Sequence, residues 1–195
     1  MKEIMIATSN AHKVEEFKQM LKPLGYQVKS LLDLDEEIDI EENGTTFEEN
    51  ALIKARAIHE KLHIEVVADD SGLTVNAMNG EPGIHSARFM GRDTSYDIKN
   101  AYIIEQCAGK ADRGCQFVCA IAYIRANGEE QVFRGVVEGE VATQIQGEKG
   151  FGYDPIFFYP PYNTTLANVS EDKKNAVSHR GRALQMLLEY LAEED

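Results

Sequence analysis

Apolar positions along this chain alternate between short unbroken runs and helical spacings. Ile4-Met5-Ile6-Ala7 is a run that stops at the polar turn Thr8-Ser9-Asn10. From His12, the apolar residues Val14, Phe17, Met20, Leu21 and Leu24 keep a helical spacing until Gly25, which predicts strand, turn and helix in that order. Tyr26 to Leu32 reads as a second strand. Residues 33–45 have little apolar periodicity and contain Asn43-Gly44, so a loop is expected there. Thr46-Phe47-Glu48-Glu49 is a capping box, and Phe47, Ala51, Ala55, Ile58 and Leu62 share one helical face, which predicts a helix over 47–62.

The second half follows the same logic. Val66-Val67-Ala68 reads as a buried strand ending in an Asp69-Asp70-Ser71-Gly72 turn, with a short strand from Leu73 to Met78 and an Asn79-Gly80 turn after it. Glu81 to Arg92 is loop-like, Thr94 to Ala108 is helical, and Gln116–Ile124 with Gln131–Val137 form a hairpin around Asn127-Gly128. A glycine-rich loop, Gly147 to Pro155, leads into Ile156-Phe157-Phe158, and a helix from Ser170 or Ser178 to about Leu191 closes the chain. Strands and helices interleave over all 195 residues without repeats, so residues 1–195 are expected to form a single α/β domain.

Composition narrows the function classes. The net charge is -13, but nine acids and no base lie in residues 33–50, four more acids lie in 189–195, and the rest of the chain is neutral. Without a Lys/Arg cluster, a nucleic acid polymer or an anionic membrane is a poor partner. Hydrophobic content of 43% with 27% charged residues is that of a soluble globular protein. No apolar run approaches the roughly 18 residues of a membrane helix, and the N-terminus lacks a signal-peptide core. Cys107, Cys115 and Cys119 form no C-x-x-C and read as buried thiols in a reducing compartment. A cytoplasmic location is expected.

Five groups of residues could carry chemistry. Thr8-x-Asn10-x-x-Lys13 stands at a strand-to-helix junction, where free N–H groups and the helix dipole suit a phosphate; Asn10 could equally be a plain helix cap. Asp69 and Asp70 follow a buried strand, and because successive side chains alternate faces, only one can enter a given site. That one could bind Mg²⁺ with a second acid, Glu41 or Glu42. Asn50 and Lys54 share a helical face. Gly150-Phe151-Gly152-Tyr153-Asp154 offers two aromatics and a carboxylate suited to a base. Lys173-Lys174 and Ser178-His179-Arg180-Gly181 place cations and a His near helix starts.

Taken together with Phe47-Glu48-Glu49-Asn50-Ala51, Ala68 to Leu73 and Pro82-Gly83-Ile84 with Ser86-Ala87-Arg88, these motifs occur in an order and spacing that resembles the inosine/xanthosine triphosphate pyrophosphatase family. The likeness runs from residue 4 to about 190. Ser9 stands where the family often has Gly, and His85 where Tyr is common. The resemblance implies an elongated mixed central sheet with flanking helices, two lobes and an active site in the cleft between them. It also implies a homodimer and hydrolysis of ITP, dITP or XTP to the monophosphate and pyrophosphate with Mg²⁺. Such an enzyme removes non-standard purine nucleotides from the pool.

Carried over residue by residue, Thr8, Ser9, Asn10, Ala11, His12 and Lys13 would hold the triphosphate, with Lys54 reaching it. Asp70 would bind Mg²⁺ and orient or deprotonate water, Glu41 or Glu42 would complete the metal site, and Ser71 would touch substrate. Phe151, Gly152, Tyr153, Asp154, Lys174, His179 and Arg180 would hold the nucleoside, with Arg180 donating to the 6-oxo group. Two rivals differ in class: a pyrophosphatase for modified pyrimidines, and a nucleotide-binding module without catalysis. Glu41, Glu42 and Asp70 argue against the second.

Overall fold

The computed structural model describes residues 2–193. Its strands are β1 (Lys2–Ile6), β2 (Tyr26–Ser30), β3 (Val66–Val75), β4 (Gly114–Ile124), β5 (Glu130–Val141), β6 (Phe157–Tyr159) and β7 (Thr164–Thr165). The helices are α1 (Ala11–Leu21), α2 (Phe47–Leu62), α3 (Tyr96–Cys107), α4 (Glu171–Val177) and α5 (His179–Glu193). One mixed sheet runs in the order β2-β1-β3-β4-β5-β6-β7. β1 is parallel to β2 and β3, whereas β6 is antiparallel to β5 and β7. This is the α/β class that the interleaved pattern predicts.

The chain folds as two compact units, and the boundaries between them fall inside β3, β4 and β5 and after the first residue of α5. The first holds the residues up to 70, 119–135 and those from 180 onward. Its core gathers Ile4, Ile6, Phe17, Leu21, Val67, Ile121, Ala183, Leu184 and Leu187. The second holds 71–118 and 136–179, with a core of Leu73, Val75, Ile103, Phe117, Val137, Val141, Ile156 and Phe157. Burying a side chain the size of Phe17 or Ile121 contributes about 1.5–3 kcal/mol, so each unit has its own hydrophobic stabilisation.

Local chemistry explains most element ends. The Thr46 side chain accepts from Glu49 N–H at 3.0 Å and starts α2, and His63 ends it in the left-handed region. Gly25, at φ +85, turns the chain from the 3-10 extension of α1 into β2. β2 stops at Ser30, because Leu31–Asp33 is a 3-10 turn capped by Ser30. The final helix is two: Ser178 is extended and separates α4 from α5. Glu189 and Glu193 are exposed, as expected of the acidic tail, while Glu194 and Asp195 lie outside the described residues.

The largest correction concerns residues 69–78. Asp69-Asp70-Ser71-Gly72 is not a turn; β3 runs unbroken from Val66 to Val75, and Asn76–Met78 is a 3-10 turn. The turn-like composition is overridden because Asp69 and Asp70 are buried rather than solvated. Among the described residues no helix is long and apolar enough to cross a membrane. Cys107, Cys115 and Cys119 are all buried free thiols.

Candidate active site

β1 is buried through Ile4, Met5 and Ile6, and it delivers the chain to the Thr8-Ser9-Asn10 turn. Thr8 is buried there and its hydroxyl accepts from Asn10 N–H at 3.1 Å. The Asn10 side chain in turn accepts from the N–H groups of His12 (3.0 Å) and Lys13 (3.3 Å). Asn10 is therefore the N-cap of α1, and two donors expected for a phosphate are already bonded. Ser9, Asn10, Ala11 and His12 are exposed. Lys13, one turn into α1, points its ammonium at Asp69, 3.1 Å from Oδ2.

Asp69 and Asp70 sit in the middle of β3 with relative exposures of 0% and 7%. The Asp69 Oδ2 atom meets Lys13 and also Arg180 Nη2 at 3.2 Å, and Lys54 donates to the Asp69 backbone carbonyl. Burial would raise the Asp69 carboxyl, but Lys13, Arg180 and Lys54 overcome it and hold the group well below the usual carboxylate range. Asp70 behaves oppositely. Burial pushes it up to about 6; Lys54 and Lys13 oppose the rise, and Glu42 and Asp69 add to it. Two adjacent carboxylates thus have environments that drive their proton affinities apart.

Lys54 lies on α2 and pairs with Glu42 Oε1 at 2.7 Å. Burial works against its charge, but Asp69, Glu42 and Asp70 outweigh that and its pKa is raised. The sequence leaves Glu41 and Glu42 undecided as partners of Asp70. In the structure Glu41 is exposed, whereas Glu42 is half-buried and close enough to Lys54 and Asp70 to perturb both. Among the described residues no group of three or more His, Cys, Asp or Glu side chains could hold a metal ion. Mg²⁺ does not need one: it is usually held by one or two carboxylates together with substrate phosphates and water. The donors here are hard oxygens, and Asp69 Oδ1 and Asp70 Oδ2 are buried without hydrogen-bond partners, so the pair Asp70 and Glu42 fits such an ion.

Arg180, expected as a donor to the base, is 1% exposed and its guanidinium is paired with Asp69 and with Glu16 of α1. Glu16 escaped the sequence reading. The available signal was its helical i, i+3 relation to Lys13, which puts both on one face of α1. Asn50, which shares a face with Lys54, accepts from Gly44 N–H at 2.8 Å and anchors the acidic loop.

The glycine-rich loop belongs to the second unit. Lys174 of α4 and Asp154 are both buried and meet at 2.6 Å, Phe151 N–H donates to the same Asp154 oxygen at 3.0 Å, and Lys174 Nζ stands 4.7 Å from the Phe151 ring centre. His179 stacks on Phe117 with 4.8 Å between ring centres. Tyr153 does not serve as an open stacking platform: its ring is in the core and its hydroxyl donates to Ser86 O at 2.5 Å. Gly152 takes φ +63, and Ser71 is half-buried.

Known proteins resemble this chain over most or all of its length. A dITP/XTP pyrophosphatase from an Exiguobacterium species is 45% identical over 185 residues, covering 95% of this chain and 94% of the relative. One from Staphylococcus epidermidis is 43% identical over 194 residues, covering 100% and 98%. Among solved structures, the Ham1 protein of Staphylococcus aureus superposes with a TM-score of 0.89 at 42% identity, covering 100% of both chains. A HAM1 protein from Coxiella burnetii gives 0.88 at 38%, covering 99% of this chain and 100% of that one. The model of the Ham1 family matches residues 4–190, the stretch that includes every site residue above, and the chain belongs to that family.

Proposed function

We propose that this chain hydrolyses non-standard purine nucleoside triphosphates, ITP, dITP and XTP, to the monophosphate and pyrophosphate. The supporting observation is the cluster of Lys13, Lys54, Asp69 and Asp70, in which two lysines flank a buried acidic pair on β3. Relatives at 43–45% identity carry the name dITP/XTP pyrophosphatase, and the same motifs suggest that activity. The chain contributes no covalent intermediate. Phosphoryl transfer is governed by positioning and charge neutralisation, and this site is built of such groups.

In the proposed reaction, water attacks the α-phosphorus, the bond from that phosphorus to the α–β bridging oxygen breaks, and pyrophosphate leaves with that oxygen. The attacking water gives up a proton. Asp70 orients this water and takes its proton, while Lys13 and Lys54 hold phosphate oxygens, with residues 8–12 lining their approach. Mg²⁺ on Asp70 and Glu42 would neutralise charge on the triphosphate. Asp69, locked among Lys13, Lys54 and Arg180, fixes the lysines rather than reacting. Phe151, Asp154, Lys174 and His179 are assigned to the base, and Ser71 to the nucleotide.

Hypoxanthine and xanthine carry a carbonyl at position 6 where adenine has an amino group. A donor aimed there would leave adenine's donor facing another donor, and an unsatisfied buried polar group costs about 1–3 kcal/mol. Arg180 is assigned that role by the motif it belongs to, once its pairing with Glu16 is exchanged for substrate. If Arg180→Ala lowers activity on ITP and ATP by the same factor, the assignment fails. Pyrophosphate release from ITP, dITP and XTP, compared with modified pyrimidine triphosphates, separates this reading from its nearest rival. We also propose a homodimer in the cytoplasm, tested by sedimentation and by cell fractionation.

A further inference from the structure

α3 carries two buried polar residues that the proposed reaction does not use. Asn100 is 1% exposed, its Nδ2 donates to Gly152 O at 3.1 Å, and its Oδ1 has no hydrogen-bond partner. Lys99 is fully buried, yet no carboxylate pairs with it among the described residues; its ammonium donates to Ala87 O at 3.2 Å and lies 4.6 Å from the Tyr96 ring centre. Both arrangements are costly. A buried cation facing only a carbonyl and a ring loses more hydration than it regains, and an orphaned amide oxygen carries its own desolvation penalty. Apolar residues at these two positions would serve the core of the unit better.

What the two side chains hold is specific. Gly150 and Gly152 have φ of +70 and +63, so the loop between them is permissive and must be fixed from outside. Asn100 ties down Gly152 O, Lys99 ties down Ala87 O, the Tyr153 hydroxyl bonds Ser86 O, and the Tyr96 ring meets the Tyr153 ring edge-on at 5.1 Å. One face of α3 therefore sets the mutual geometry of loops 86–88 and 150–154. We propose that Asn100 and Lys99 are positioning residues that hold the base-recognition loop in the conformation on which purine selectivity depends. This rests on the assignment of Phe151 and Asp154 to the base.

The test uses the full chain and steady-state hydrolysis of ITP and ATP. Asn100→Asp keeps the shape but replaces the donor with an oxygen facing Gly152 O. It should raise KM for ITP about tenfold, leave kcat within about twofold, and lower the ITP/ATP ratio of kcat/KM about tenfold. Lys99→Met should shift KM and the ratio in the same direction. A folded Asn100→Asp enzyme whose KM and ratio stay within about twofold of wild type, or one that loses only kcat, overturns the proposal. Should that variant not fold, Asn100→Ala is judged by the same criteria. Phe151→Ala in the same assay separates the two failures. If it leaves the ratio unchanged, the base assignment falls; if it lowers the ratio while Asn100→Asp does not, only the positioning role falls.

Discussion

The reactivity of this site depends on what surrounds two adjacent acids. Asp69 Oδ2 is bound by Lys13 and Arg180 and its backbone carbonyl by Lys54, whereas burial pushes the Asp70 carboxyl up to about 6 and its Oδ2 is buried without a partner. Asp70→Asn should therefore abolish turnover, with a fall of about a thousandfold or more in kcat, while thermal unfolding stays near wild type. Comparable activity in that variant would remove Asp70 from the mechanism. Arg180→Ala should act first on stability. It leaves Glu16 and Asp69 buried without their shared cation, and breaking such a pair costs about 3–5 kcal/mol, measurable by urea denaturation. The motif containing Arg180 is legible in sequence, but its partner Glu16 is 164 positions away, and no local rule links them.

At the scale of elements, α2 runs from Phe47 to Leu62 as the capping box and apolar face predict, because its local signals and its packing agree. β3 departs from the two strands and a turn that its composition predicts, for the opposite reason. Asp-Asp-Ser-Gly is turn composition when solvated, and here both acids are buried and Asp69 is held in the strand by cations from α1, α2 and α5. Asn10 shows the same limit: one residue satisfies both a cap and a phosphate-site pattern, and the structure shows the cap. The pairing of β5 with β6 carries a further expectation. A Cβ on Gly139 would lie 2.5 Å from Phe158 O and 2.6 Å from the Phe157 ring. Gly139→Ala should therefore push β6 away and destabilise the protein by about 1–3 kcal/mol, seen as a lower denaturant midpoint.

For the whole molecule, the net charge of -13 turns out to be partly structural. Within the acidic stretch Glu36 pairs with Lys61 and Glu42 with Lys54, tying the loop to α2, and Glu48 of α2 pairs with Arg134 of β5. The buried thiols give a test of global integrity. All three cysteines are buried, and burial, the largest cause, pushes the Cys119 thiol up to about 12. A thiol reagent at pH 8 should find none of them in the native protein and all three after denaturation. The unfolded thiol ionises near pH 8.5. The folded state keeps its proton to higher pH, so stability is full below about pH 8.5 and lost as pH rises toward the folded value. The melting temperature should thus fall between pH 8 and 11.

The central claim is that Lys13 of α1, Lys54 of α2 and the acid pair on β3 serve to cleave the α–β bond of a 6-oxopurine triphosphate with a metal. Its most direct test is the identity of the products released from ITP by the purified protein, with Mg²⁺ and with the metal chelated. The account predicts IMP and pyrophosphate in equal amounts, dependent on Mg²⁺, with ATP turned over at least about a hundredfold less efficiently. Release of orthophosphate, no cleavage of ITP, or equal rates in chelator would contradict it.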